Sequence, residues 1–163
     1  MSDASLLAGA DADITPQIQP YLCFGFLVQD QIVYMSDVSL IPDEAWPVIL
    51  AGDQKSVLVM DCLRLRGHMS HMGVREAGGA IRRIGTRRSY LTGFNHDVSH
   101  EEYVRIGEGV GVGGEREESG NVGKGIEMMR EGLEGEVHWI RPAHDGLRAV
   151  ILPDGRVYDD TYT

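Results

Sequence analysis

Ser56-Val-Leu-Val-Met-Asp61 decides the fold class of this 163-residue chain. The run is apolar without polar alternation, which is the pattern of a strand covered on both faces. Upstream, Gln31-Ile-Val-Tyr-Met35 reads as a second strand. Tyr21-Leu-Cys-Phe-Gly-Phe-Leu-Val28 reads as a third, joined to it through a turn at Gln29-Asp30, so the two form a hairpin. Between the hairpin and the central run, Pro42-Asp-Glu opens a short helix over residues 45–50 that stops at Gly52. Downstream, residues 74–84 read as a helix weakened by Gly78-Gly79, and Arg88-Ser-Tyr-Leu-Thr92 as the next strand. Ser99 and Glu102 form a capping box that starts a helix ending near Gly107. Residues 107–125, rich in glycine and charge, read as a flexible insertion, and residues 122–133 as a helix. Val137-His-Trp-Ile140 and residues 147–152 are further strands, and Pro153-Asp-Gly-Arg156 turns into a short edge strand. Strands alternating with helices predict an α/β layered domain over residues 20–163, behind a loose Ala-, Asp- and Gln-rich arm at 1–19.

Apolar residues make up 42% and charged residues 25%, enough for one domain with its own core. The net charge of −10 argues against a nucleic-acid partner, whose binding surface would be basic. Arg82, Arg83, Arg87 and Arg88 cluster, and read as a solvated helix end and strand entry. Cys23 and Cys62 lie beside apolar runs without metal-finger spacing, which predicts buried, reduced thiols and a cytoplasmic protein. No run approaches the ~20 apolar residues of a membrane span, and the first residues lack a basic leader.

Side chains with chemistry gather where strands open into loops, the edge at which open α/β sheets bind ligands. In Tyr34-Met-Ser-Asp-Val-Ser39, Asp37 either bridges cations or caps the helix at Pro42. In Arg64-Leu-Arg-Gly-His-Met-Ser-His71, the two histidines three apart serve a metal, act as acid or base, or are simply exposed. Tyr90-Leu-Thr-Gly-Phe-Asn-His-Asp97 closes another strand with His96 and Asp97. His100 reads as structural. Asp145 sits in an Asp-Gly turn, Pro142-Ala-His-Asp-Gly-Leu147. The glycines from Gly107 to Gly114 follow a helix instead of a strand and lack a Gly-Lys-Ser/Thr ending, so they are not a phosphate cradle.

Taken in order, these segments resemble the C-terminal half of a metallo-β-lactamase-fold hydrolase, in particular the phosphoribosyl cyclic phosphodiesterase branch and its fungal relatives. The resemblance implies a partial αββα sandwich, with this chain supplying the C-terminal sheet and its flanking helices. It puts Asp37 at the metal-bridging carboxylate and His71 at an acid or phosphate-contacting group. It puts His68, Asp97 and Asp145 on the site rim. Where relatives read Thr-His-x-Ser-His, with the first histidine a ligand, this chain has Gly93, and His96 is the residue left to take over, with Asp97 beside it. The implied cofactor is zinc or manganese. The family's His-x-His-x-Asp-His motif is absent, so binding in this chain is expected to be weak or lost. The implied activity is metal-dependent phosphodiester hydrolysis of a small phosphorylated metabolite, by a truncated chain that is weak or inactive in isolation. The alternative is a non-catalytic α/β scaffold or interaction module. A third reading is that a homodimer or second chain completes the fold by covering the exposed sheet.

Overall fold

The apolar run at the centre of the sequence becomes β3 (Val57–Asp61), the third of five strands in a sheet ordered β1-β2-β3-β4-β5. A computed structural model describes residues 22–111 and 119–162. The N-terminal arm and the middle of the glycine-rich insertion lie outside these residues. The sheet begins with β1 (Gly25–Val28) and β2 (Ile32–Met35), paired antiparallel as a hairpin. From β2 onward the strands run parallel, through β3, β4 (Arg88–Thr92) and β5 (Ile140–Pro142). Four carboxyl ends therefore open onto one edge.

Between β2 and β3, a 3-10 turn at Asp43–Ala45 leads into α1 (Trp46–Ile49). α2 (Val74–Ile84) links β3 to β4. α3 (His100–Gly111) and α4 (Gly120–Gly132) link β4 to β5. The capping box forms as read, with the Ser99 N–H donating to Glu102 Oε2 at 2.8 Å and the Glu102 N–H donating to Ser99 Oγ at 3.2 Å. One sheet face, carrying Leu58, Met60 and Leu91, packs against Ile81, Ile106 and Met129 of the helices. The other carries Val57 and Tyr90 and is partly covered by a second small sheet, the antiparallel pair β6 (Ala149–Ile151) and β7 (Val157–Asp159). Arg88 and Tyr90 clamp that hairpin to the sheet through Asp159, the tyrosine hydroxyl donating at 2.7 Å.

Three expectations change. The insertion read over 107–125 is helical at both ends, because its glycines mark close packing. A Cβ at Gly107 would stand 2.2 Å from the Ile140 carbonyl, and one at Gly125 would stand 2.3 Å from the Ile106 side chain. α3 therefore runs past Gly107. The strand expected at 137–140 begins only at Ile140, although the Trp139 carbonyl already accepts from the Ser89 N–H at 3.0 Å. Of the two thiols, Cys62 is buried, but Cys23 is exposed ahead of the edge strand β1. The clustered arginines are also placed. Arg82 pairs with Glu134 at 2.8 Å, Arg83 lies 3.8 Å over the Trp46 ring, and Arg88 holds Asp159. Among the described residues no helix is long and apolar enough to cross a membrane.

Gly78 does not merely weaken α2. It is where α2 meets α4, since a Cβ there would lie 2.9 Å from the Met129 carbonyl, and one at Gly132 would lie 2.1 Å from the Arg75 carbonyl. Both obstacles are backbone, so neither can swing aside. Gly132→Ala is expected to cost about 1–3 kcal/mol by overpacking, read as a lower urea midpoint. An unchanged midpoint would show that the helices are not this close.

Candidate functional site

Asp61 ends the central strand and is almost entirely buried, at 1% exposure. A carboxylate there requires partners. Its Oδ2 accepts from His71 Nδ1 at 3.0 Å and from the Met72 N–H at 3.2 Å. An ionised carboxylate only accepts, so the imidazole proton lies on Nδ1 and leaves Nε2 as the free ring atom. Asp37 approaches the same nitrogen from the other side, its Oδ1 3.9 Å from His71 Nδ1. Its side chain is 70% exposed, and its backbone is left-handed, with φ of 51°. Aspartate tolerates that conformation better than most residues, and residues held in it cluster at functional sites. No side chain caps the helix turn at Asp43–Ala45, so Asp37 does not serve as its cap.

Burial holds the Asp61 carboxyl above its ordinary value of 3.8, against the opposing hydrogen bond and charge of His71 and the Met72 N–H, while the nearby Asp37 charge raises it further. Gly93 completes this corner. It has φ of +79°, and a Cβ on it would stand 2.6 Å from Asp61 Oδ1. Gly93 thus makes room for the Asp61 carboxylate.

Asp37 and His71 come together, and His68 lies alongside, its ring 6.2 Å from that of His71 and its Nδ1 on Ser70 Oγ. The other expected residues form no hydrogen bond or ion pair with Asp37, His68 or His71 among the described residues. His96 is exposed and makes no hydrogen bond or ion pair among the described residues. Asp97 turns to Asn95, whose Nδ2 donates to Asp97 Oδ2 at 2.6 Å, so it does not orient His96. Asp145 is exposed in its turn, and its carbonyl meets His144 Nδ1 at 3.1 Å. His100 binds Tyr162 Oη at 3.2 Å, and that hydroxyl donates to the Pro142 carbonyl.

Sequence reading passed over Asp61 as a ligand-edge residue. The available signal was its place, since it closes a strand just as Asp37 follows one. Among the described residues, no group of three or more His, Cys, Asp or Glu side chains is arranged to hold a metal ion. His71 Nδ1 is turned toward carboxylates as a donor, and Asp61 Oδ2 already accepts two hydrogens. These residues alone do not fit the zinc or manganese that the sequence resemblance implies.

No family model matches the chain, and no curated protein matches it. It is similar to a diphosphatase from the PhnP family, with 22% identity over 72% of this chain and 34% of that one, at a TM-score of 0.47. It is also similar to the metallo-β-lactamase fold protein YhfI from Bacillus subtilis, with 17% identity over 78% of this chain and 39% of that one, at 0.44. The chain therefore spans 34% and 39% of the lengths of these two solved chains.

The raised Asp61 value fixes a sign. With the folded value above the unfolded one, the native state binds more protons in between, so unfolding free energy falls as pH rises from 3.8 through the folded value. Asp61→Asn cannot titrate. Wild type is therefore expected to lose stability relative to Asp61→Asn across that window, in urea titrations at stepped pH. A wild-type curve that rises relative to the variant there would reverse the assignment.

Proposed function

We propose that this chain carries the acid–base part of a phosphoester hydrolase site. The observation that carries the reading is the Asp61–His71 pair, 3.0 Å apart at the carboxyl edge of a parallel sheet. A buried carboxylate on Nδ1 fixes the tautomer and orientation of an imidazole. His71 Nε2 can then deliver a proton to a leaving phosphoester oxygen or take one from an attacking water. Asp37, exposed and beside it, faces the incoming substrate. The small acidic chain favours a compact phosphorylated metabolite as substrate, and its two unpaired cysteines favour a reducing, cytoplasmic setting. Zinc or manganese would bind weakly, since no three His, Cys, Asp or Glu side chains among the described residues are grouped to hold an ion and the His-x-His-x-Asp-His motif is absent.

Turnover of the isolated chain on bis-p-nitrophenyl phosphate is expected to be slow. Loss of one metal ligand or its support costs roughly 10–100-fold, and several are missing. The residual rate is expected to fall by about 10²-fold or more in His71→Ala, measured with and without added manganese. A rate unaffected by His71→Ala would refute the acid–base role.

A second reading, as an assembly module, is favoured by one observation. β1 is exposed along its whole length, and Phe24, Phe26 and Val28 are 83%, 56% and 45% exposed beside Tyr34. Residues 22–28 carry no charge, so an antiparallel pairing of β1 with β1 of a second copy places no like charges opposite one another. We propose that homodimer. Light scattering during size exclusion is expected to give twice the chain mass, reverting to one in Phe26→Lys. A monomer at tens of micromolar would dismiss it.

A further inference from the structure

Deepening the hydrolase reading, and resting on it for the identity of the reaction, we propose that Arg64 binds an anionic, phosphate-class group of the substrate in the cleft beside His71. Arg64 lies three residues past Asp61 in the loop that carries His71. That loop is pinned, with the Leu63 N–H donating to the Met72 carbonyl at 3.1 Å and the Val74 N–H donating to the Leu65 carbonyl at 3.1 Å. The side chain is positioned by the fold rather than free in solvent.

Two cavities meet at Arg64. One, of about 530 Å³, is also lined by Ser39, His68 and His71. The other, of about 780 Å³, is also lined by Arg66, Arg75 and Lys124. A group bound at Arg64 is thus within the same cleft as the imidazole. The charges are unusual for so acidic a chain. Arg75 is paired with Glu131, whereas Arg64, Arg66 and Lys124 form no ion pair among the described residues. Arg64 Nε is buried with no hydrogen-bond partner. That atom is closed off from the cleft, so an oxyanion meets the guanidinium at its terminal Nη groups, which make no hydrogen bond among the described residues. Asp97, Glu127 and Glu131 also line the larger cavity and Glu76 the smaller, with Asp97 held by Asn95, Glu131 by Arg75 and Glu76 by the Gly73 N–H. These carboxylates limit how far an anion extends from Arg64, so the site suits a compact group and disfavours a polyanionic polymer. A phosphate at Arg64 would leave the rest of a small phosphoester lying toward His71.

Inorganic phosphate, titrated into the full chain and followed by NMR, tests this without requiring turnover. The Arg64 Nε–H and His71 Cε1–H signals are expected to shift together and saturably. Affinity is expected to fall about tenfold or more in Arg64→Ala and Arg64→Gln, the loss of roughly one charge-assisted hydrogen bond. It is expected to be unchanged in Arg156→Ala, an exposed arginine paired with Asp154. Acetate is expected to bind more weakly than phosphate. The absence of a saturable shift at Arg64 Nε–H, phosphate binding unchanged in Arg64→Gln, or acetate binding as tightly would each overturn the proposal. If Arg64→Ala does not fold, Arg64→Gln and the wild-type Nε–H signal still decide. If His71→Ala leaves hydrolysis unchanged while Arg64→Gln still weakens phosphate binding, the hydrolase reading falls and this site stands.

Discussion

A buried carboxylate at the end of the central strand constrains everything around it. Asp61 is held at the top of the sheet by the same apolar run that makes β3, and desolvation there opposes its charge. Two hydrogens from one loop offset that cost, those of His71 Nδ1 and the Met72 backbone. The loop must therefore leave the strand, pass Arg64 and His68, and double back before α2 begins. Gly73 marks the return: it bridges Arg64, and a Cβ on it would stand 2.4 Å from the Gly67 nitrogen. The start of α2 follows from this closure, with the Gly73 N–H donating to Glu76 Oε2 at 3.1 Å. On the next strand, Gly93 leaves the space that Asp61 Oδ1 needs.

The layered α/β architecture was legible because its signals are local and strong. A continuous apolar run gave β3, a turn between two β-patterns gave the β1–β2 hairpin, and Ser99 with Glu102 gave the start of α3. The glycines misled. Gly78, Gly107 and Gly125 count against a helix by propensity, yet each lies where another element comes within contact distance, a tertiary effect that one sequence does not display. Trp139 likewise reads as strand but precedes the paired stretch of β5. At the site, position after a strand made Asp37 and His71 candidates, the family resemblance suggested their roles, and the structure brings the two within 3.9 Å. Asp61 was not, because an acidic residue at the end of an apolar run looks like the edge of a strand until its burial is seen. The support expected for His96 from Asp97 is missing because the Asn95 amide holds that carboxylate.

The resulting edge is polar and specific, yet short of ligands for a metal among the described residues. It holds a donor–acceptor pair fixed by burial, an exposed carboxylate beside it, and, in the adjoining cleft, a guanidinium with no ion pair among the described residues. Such a set can orient a substrate and move a proton. It does not by itself supply the charge stabilisation of a complete dinuclear centre. The exposed hydrophobic strand β1 lies at the end of the same sheet, so covering it would leave the carboxyl-edge loops of β3 and β4 open to ligand.

The central claim is that Asp61 fixes His71 with its proton on Nδ1. Two-bond ¹H–¹⁵N correlation of the imidazole reads this directly at neutral pH. The account predicts a protonated Nδ1 and a bare Nε2 for His71, with mixed tautomers appearing in Asp61→Asn. A His71 ring protonated on Nε2 in the wild-type chain, or one whose tautomer ignores Asp61→Asn, would contradict it.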